Sequence, residues 1–197
     1  MPIIIESPLD LIHTFPQVAS YPPPPENMMK TQERQYVAAL VLANLQTRNI
    51  FEFGTFEGFT TYYLFRACPF GKIYTLDLPL DAKHNEHPKE FLGHHYKSNQ
   101  CNTVIQILED SKKFDPVKHD IQPCDLVLVD GDHSMEGVEN DCSKGLVMLR
   151  SGGILILHDY TEERDLKTVG PRSYVLKHKD WTWHRIDGTG FIWTRKP

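Results

Sequence analysis

The stretch Asp125-Leu-Val-Leu-Val-Asp130-Gly-Asp132-His133-Ser134 decides the fold. Its first half, Asp125 to Val129, is near-continuously apolar, the pattern of a strand covered on both faces in a parallel sheet. The helix that follows is the clearest in the chain. Met135, Val138, Cys142, Leu146 and Leu149 recur at intervals of three and four and make one apolar stripe. Gly152-Gly153 is expected to end this helix and open a further strand, Ile154 to His158.

Working outward, the same alternation continues. Asn49 to Phe53, Lys72 to Leu78 and Thr103 to Leu108 read as strands, and residues 30–46, 58–68, 88–96 and 171–178 read as helices. Trp181 to Ile186 and Phe191 to Arg195 are strands joined by Asp187-Gly-Thr-Gly190, a hairpin signal that makes the last pair antiparallel. The pattern predicts an α/β sandwich with a mostly parallel seven-stranded sheet and one reversed strand at the C-terminus. Tyr21-Pro-Pro-Pro-Pro-Glu26 is stiff and extended, and it sets off an N-terminal arm, residues 1–26, from a body spanning 27–197. The arm is apolar at Met1 to Ile5, Phe15 and Tyr21, so it either covers a binding site or docks on a second subunit, as in a homodimer.

Composition narrows the function classes. At 197 residues, one domain is expected. With 21 Lys plus Arg against 26 Asp plus Glu, the net charge is −5 and no basic run is present, which argues against a nucleic-acid partner. No apolar run reaches the length of a membrane span, and the N-terminus lacks the basic start of a signal peptide. The 4 cysteines are scattered without a CxxC pair, the usage of reduced thiols in a cytoplasmic protein.

In parallel sheets, ligands bind beyond the carboxyl ends of the strands. Here those ends are acidic throughout: Glu52, Asp77, Glu109-Asp110, Asp130 and Asp159. The loop Glu52-Phe-Gly54-Thr55-Phe56-Glu57-Gly58 spaces its glycines too widely for GxGxxG and carries no P-loop lysine. Its two acids make it a poor cradle for pyrophosphate. Asp77, 25 residues after Glu52, stands where an acid reaching ribose hydroxyls belongs. The ligand implied is a nucleoside with positive rather than negative charge, and S-adenosylmethionine fits that description.

The loop Glu52 to Gly58 resembles motif I of the class I S-adenosylmethionine-dependent methyltransferases, which share a Rossmann-like sandwich. Asp125 to Ser134, together with Gly152-Gly-Ile-Leu-Ile-Leu-His-Asp159, is similar to the small-molecule O-methyltransferase branch that includes the macrocin type and is related to the catechol type. The resemblance implies that Glu52, Gly54 and Thr55, with Phe56 and Gly58, hold the methionine end of the cofactor. It implies that Asp77 and Leu78 meet the ribose, that Asp110 and Ser111 meet the adenine, and that Asp130 lies beside the cofactor. Met28 would stand near the transferred methyl. Asp130 and Asp159 match carboxylates that bind a divalent cation, Mg²⁺ or another, and His133 matches the general base next to a small-molecule acceptor.

Plainer readings stand beside these. Asp130 and Asp159 could only cap helices, and His133 could be a hydrogen-bonded structural residue. His158 and Tyr160 depart from the expected metal neighbours, since imidazole suits a transition metal better than Mg²⁺. His84, His87, His94 and His95 read as a solvated flap rather than a zinc site, and Trp181, Trp183 and Trp193 as packing. The rival functions are a metal-independent N-methyltransferase and a non-catalytic protein that binds S-adenosylmethionine or S-adenosylhomocysteine.

Overall fold

The computed structural model describes residues 2–21, 31–44, 46–82, 91–162 and 169–197. Strand β1 (Ile3–Glu6) and helix α1 (Pro8–Thr14) come first, then a 3-10 turn (Pro16–Ser20) and α2 (Thr31–Ala43). β2 (Asn49–Phe53), α3 (Phe59–Ala67), β3 (Lys72–Asp77), α4 (His94–Ser98) and β4 (Val104–Leu108) follow. The second half runs β5 (Cys124–Val129), α5 (Met135–Met148), β6 (Leu149–Leu157), α6 (Val169–Lys177), β7 (Trp183–Ile186) and β8 (Ile192–Arg195).

These strands form one sheet in the order β1-β7-β8-β6-β5-β2-β3-β4. Only β8 runs against its neighbours, pairing antiparallel with both β6 and β7, as the Asp187–Gly190 signal requires. β5 lies between β2 and β6 in parallel register, which is why its sequence is apolar on both faces. Leu126 and Leu128 enter the core beneath α1, α2 and α3, while Val127 and Val129 enter the one beneath α5 and α6. α5 begins on Ser134, whose Oγ accepts from Gly137 N at 3.0 Å. It comes close enough to β5 that a Cβ on Gly145 would sit 2.9 Å from Val127.

Three sequence expectations change. Among the described residues the sheet has eight strands, not seven, because the N-terminal arm supplies one: Ile3–Glu6 lies parallel along β7, with Ile3 opposite Trp183 and Glu6 opposite Ile186. Glu6 secures it, accepting from Tyr36 OH at 2.7 Å and pairing with His184 Nδ1 at 2.7 Å. Residues 3–6 therefore dock on their own chain. Second, α5 ends at Met148, and Gly152-Gly153 lie inside β6, where Gly152 takes φ +70 opposite a register shift in β5. Third, the helix expected over 88–96 is the short α4, beginning at His94, and residues 83–90 lie outside the described set. Among the described residues, no helix is long and apolar enough to cross a membrane.

Candidate active site

Strand order reverses between β2 and β5, which places a crevice at their carboxyl ends. Backbone contact there is close. Asp130 N donates to Phe53 O at 2.9 Å, and a Cβ on Gly54 would lie 2.1 Å from the Asp130 carbonyl oxygen. With φ at +92, position 54 accepts only glycine. Gly58, at φ +78, is hemmed in by Gly93 and Tyr96. Gly93 N and His95 N donate to the carbonyls of Phe56 and Glu57, so the start of α4 braces the loop from one side.

Asp77 braces it from another. Its Oδ2 accepts from Thr55 N (3.0 Å) and Phe56 N (2.8 Å), and its Oδ1 from Leu78 N (2.7 Å). Below, a directional relay of side chains runs into Glu52. Gln106 Nε2 donates to Thr55 Oγ1 (2.9 Å), Thr55 contacts Thr75 Oγ1 (2.7 Å), and Thr75 and Thr61 each donate to Glu52 Oε2 at 2.6 Å. Thr75 spends its proton on Glu52, so the Thr55 hydroxyl is the donor between the two. Glu52 Oε1 is buried and has no hydrogen-bond partner. Burial pushes the Glu52 carboxyl up to about 8, against the two threonine donors that favour its charge.

Asp130, His133, His158 and Asp159 come together at the ends of β5 and β6. His158 Nδ1 lies 2.8 Å from Asp130 Oδ1 and 3.4 Å from Asp159 Oδ1. His133 spans the same acids, with Nε2 3.4 Å from Asp130 Oδ1 and Nδ1 3.2 Å from Asp159 Oδ2. Burial opposes charge on both rings, but the carboxylates outweigh it, raising His133 and pushing His158 up to about 9. The histidines in turn overcome burial at Asp130 and hold its carboxyl well below the usual range. Asp159 takes φ +56, and the β7–β8 turn seats it there through Tyr160 N donating to Gly190 O at 2.8 Å. Asp130, His133 and His158 each offer a ligand atom within 4.8 Å of the others, the one such group among the described residues. Asp159 stands outside that trio but pairs with both of its histidines.

Asp110 and Ser111 follow the end of β4, and Ser111 meets α5. Asp110 Oδ1 accepts from Lys112 N at 2.9 Å, and Ser111 hydrogen-bonds Asp141 of α5. Buried Asp141 is a residue that sequence reasoning passed over. It accepts from Asn140 Nδ2 at 2.7 Å, and its Oδ2 would lie 3.4 Å from a Cβ on Gly131. The signal was an acid set beside the apolar stripe of α5. Glu33 and Arg34 of α2 were also passed over: Gly190 N donates to Glu33 Oε1 at 2.9 Å, and buried Arg34 faces the start of α3. Met28, His84 and His87 lie outside the described residues. His95 stacks on Phe59 (centroids 3.2 Å apart). Trp183 and Trp193 are buried in packing, and Trp181 stacks on Trp183.

A model of a methyltransferase domain matches residues 51–160, more than half of the chain, including every strand-end acid of the crevice from Glu52 to Asp159. The chain belongs to this methyltransferase-domain family. The expected enzyme class, a Rossmann-like class I methyltransferase, therefore stands. Solved structures agree on the fold. The cofactor-bound Rv0187 from MTB is 19% identical, with 94% of this chain and 89% of that chain covered and a TM-score of 0.68. The O-methyltransferase from Bacillus cereus in complex with SAH is 18% identical, with coverages of 96% and 90% and a TM-score of 0.66. The O-methyltransferase TomG from Streptomyces achromogenes, involved in tomaymycin synthesis and solved with SAM, is 16% identical, with coverages of 96% and 88% and a TM-score of 0.63. No curated protein sequence matches the chain.

Proposed function

We propose that this methyltransferase moves the methyl group of S-adenosylmethionine to a hydroxyl of a small molecule, with His133 as general base. The observation that carries the reading is the position of His133 between Asp130 and Asp159, beside the Gly54 loop. The S-adenosylmethionine- and S-adenosylhomocysteine-bound structures of the same fold support the cofactor. Asp159 lies against Nδ1 and Asp130 against Nε2, so the two acids orient the ring and favour its taking up the acceptor proton. The acceptor oxygen attacks the methyl in line with the departing sulfur. The O–C bond forms as the S–C bond breaks, the proton passes to His133, and S-adenosylhomocysteine leaves neutral.

The residues here also fit a divalent cation. Asp130, Asp159 and His158 make a donor set that mixes imidazole with carboxylate, which suits a transition metal better than Mg²⁺. Asp130, Asp159 and His158 would hold it, leaving His133 as the base. Such an ion lowers the pKa of an acceptor hydroxyl. One observation favours a metal-free version: His158 Nδ1 already lies against both carboxylates, so its imidazolium supplies the positive charge between them.

Transfer of labelled methyl from S-adenosylmethionine to a panel of phenols, catechols and sugars tests the reading, with EDTA and then Zn²⁺, Mn²⁺ or Mg²⁺ added back. His133→Ala should lower kcat by about 10²–10⁴-fold. Full activity of that variant across the pH range would remove His133 as the base. Turnover indifferent to EDTA would select the metal-free version. Binding of S-adenosylhomocysteine without transfer to any acceptor would leave a non-catalytic binder.

A further inference from the structure

The amino-acid end of S-adenosylmethionine carries a carboxylate and an ammonium group. The crevice is crowded with acids, namely Glu33, Glu52, Asp77, Asp130 and Asp159, and none of these can receive a carboxylate. Arg34 can. It sits on the first turns of α2 and is only 4% exposed. Its guanidinium carbon stands 5.1 Å from the centre of the Phe59 ring, and its Nε donates to Thr60 Oγ1 at 3.4 Å. Phe59 and Thr60 are the first two residues of α3, immediately after the Gly54–Gly58 loop. His95 covers the Phe59 ring too, so α2, α3 and α4 are pinned together at this point. Thr61, the residue after Thr60, donates to Glu52 Oε2 at 2.6 Å, so Arg34 and Glu52 both engage the first turn of α3.

Glu52 supplies the second half of the observation. It is fully buried, its Oε2 is satisfied by two threonines, and its Oε1 has no partner. A buried carboxylate oxygen left unmatched is costly, and a cationic ligand group would relieve that cost.

We propose that Arg34 and Glu52 form a clamp for the amino-acid end of the cofactor, Arg34 donating to its carboxylate and Glu52 Oε1 accepting from its ammonium group. This rests on the reading of the chain as an S-adenosylmethionine-dependent methyltransferase. Arg34 is new to that reading, and it makes the site selective for the intact amino acid over the nucleoside alone.

Titration calorimetry with two ligands tests the clamp: S-adenosylhomocysteine, and 5′-methylthioadenosine, which lacks the amino-acid end. Arg34→Gln should weaken S-adenosylhomocysteine at least ten-fold and leave 5′-methylthioadenosine within two-fold. Arg34→Lys, which keeps the charge, should recover part of the loss. Glu52→Gln should show the same selectivity. Unchanged 5′-methylthioadenosine binding also certifies that each variant is folded. Equal losses for both ligands would make Arg34 a packing residue and overturn the clamp. So would unaltered affinity for S-adenosylhomocysteine in the variants. A wild-type protein that binds neither ligand would instead overturn the cofactor reading itself, and the clamp with it.

Discussion

Replacing Asp141 by asparagine should raise the protein's stability at neutral pH relative to its stability in acid. Burial of its place on α5 pushes the Asp141 carboxyl up to about 6 from 3.8, although Ser111 and Asn140 hydrogen-bond its charged form. Between those two pH values, the folded chain holds a proton that the unfolded chain has released. Stability therefore falls as pH rises through that window, and the loss is complete above about pH 6. The shift is about two units, and at 1.36 kcal/mol per unit the cost at pH 7 has a ceiling of about 3 kcal/mol. Asparagine carries no such cost. It keeps one acceptor oxygen where the carboxylate had two, so weaker bonds to Ser111 and Asn140 offset part of the gain at every pH. Urea denaturation of both proteins from pH 4 to pH 8 separates the effects, because the pH-dependent part of the difference belongs to Asp141 alone. The advantage of Asp141→Asn should grow between pH 4 and pH 6 and then level off. A difference that stays constant with pH would refute the reasoning.

Gly54→Ala should abolish cofactor binding and lower the melting temperature. Its Cβ would stand 2.1 Å from the Asp130 carbonyl oxygen at a backbone angle that costs a non-glycine residue about 1–2 kcal/mol before any clash. Asp77→Ala removes the acceptor of the Thr55 and Phe56 amides, and calorimetry should show S-adenosylhomocysteine binding weakened by about ten-fold or more. Glu6→Ala leaves the buried Tyr36 hydroxyl without its acceptor and should cost about 1–3 kcal/mol in denaturant unfolding. Amide exchange at Ile3–Glu6 should rise more than at β5, since β1 pairs only with β7.

The central sheet was legible because its information is local. Leu126 to Val129 announce burial on both faces through composition alone, and the Asp187–Gly190 turn announces the reversal of β8. The N-terminal strand was not legible for the opposite reason. Ile3-Ile4-Ile5 is β-branched and strand-like, but its partner Trp183–Arg185 lies some 180 residues away, so nothing nearby marks it as the eighth strand. The Gly152-Gly153 pair misled for a related reason. Two glycines are an ordinary stop after a helix, yet here the bulged pairing of β6 with β5 absorbs them within the strand.

The site divides along the same line. Strand-end acids can be counted from the sequence once the strands are known, and Glu52, Asp77, Asp130 and Asp159 were found that way. What those acids touch depends on packing. Asp77 was expected to face ribose, and its Oδ2 is occupied by two loop amides, leaving capacity for a ligand mainly on Oδ1. His158 looked like a poor Mg²⁺ neighbour, and the fold places its Nδ1 against both carboxylates. Arg34 carried no motif at all. Its role depends on the angle at which α2 crosses α3, and no spacing within residues 31–43 encodes that angle. The acids of this crevice and the His158 imidazolium are written along the strand ends, whereas its buried arginine comes from a helix set by tertiary packing. A search confined to strand-end motifs would therefore recover the acids of such a site and miss the arginine that balances them.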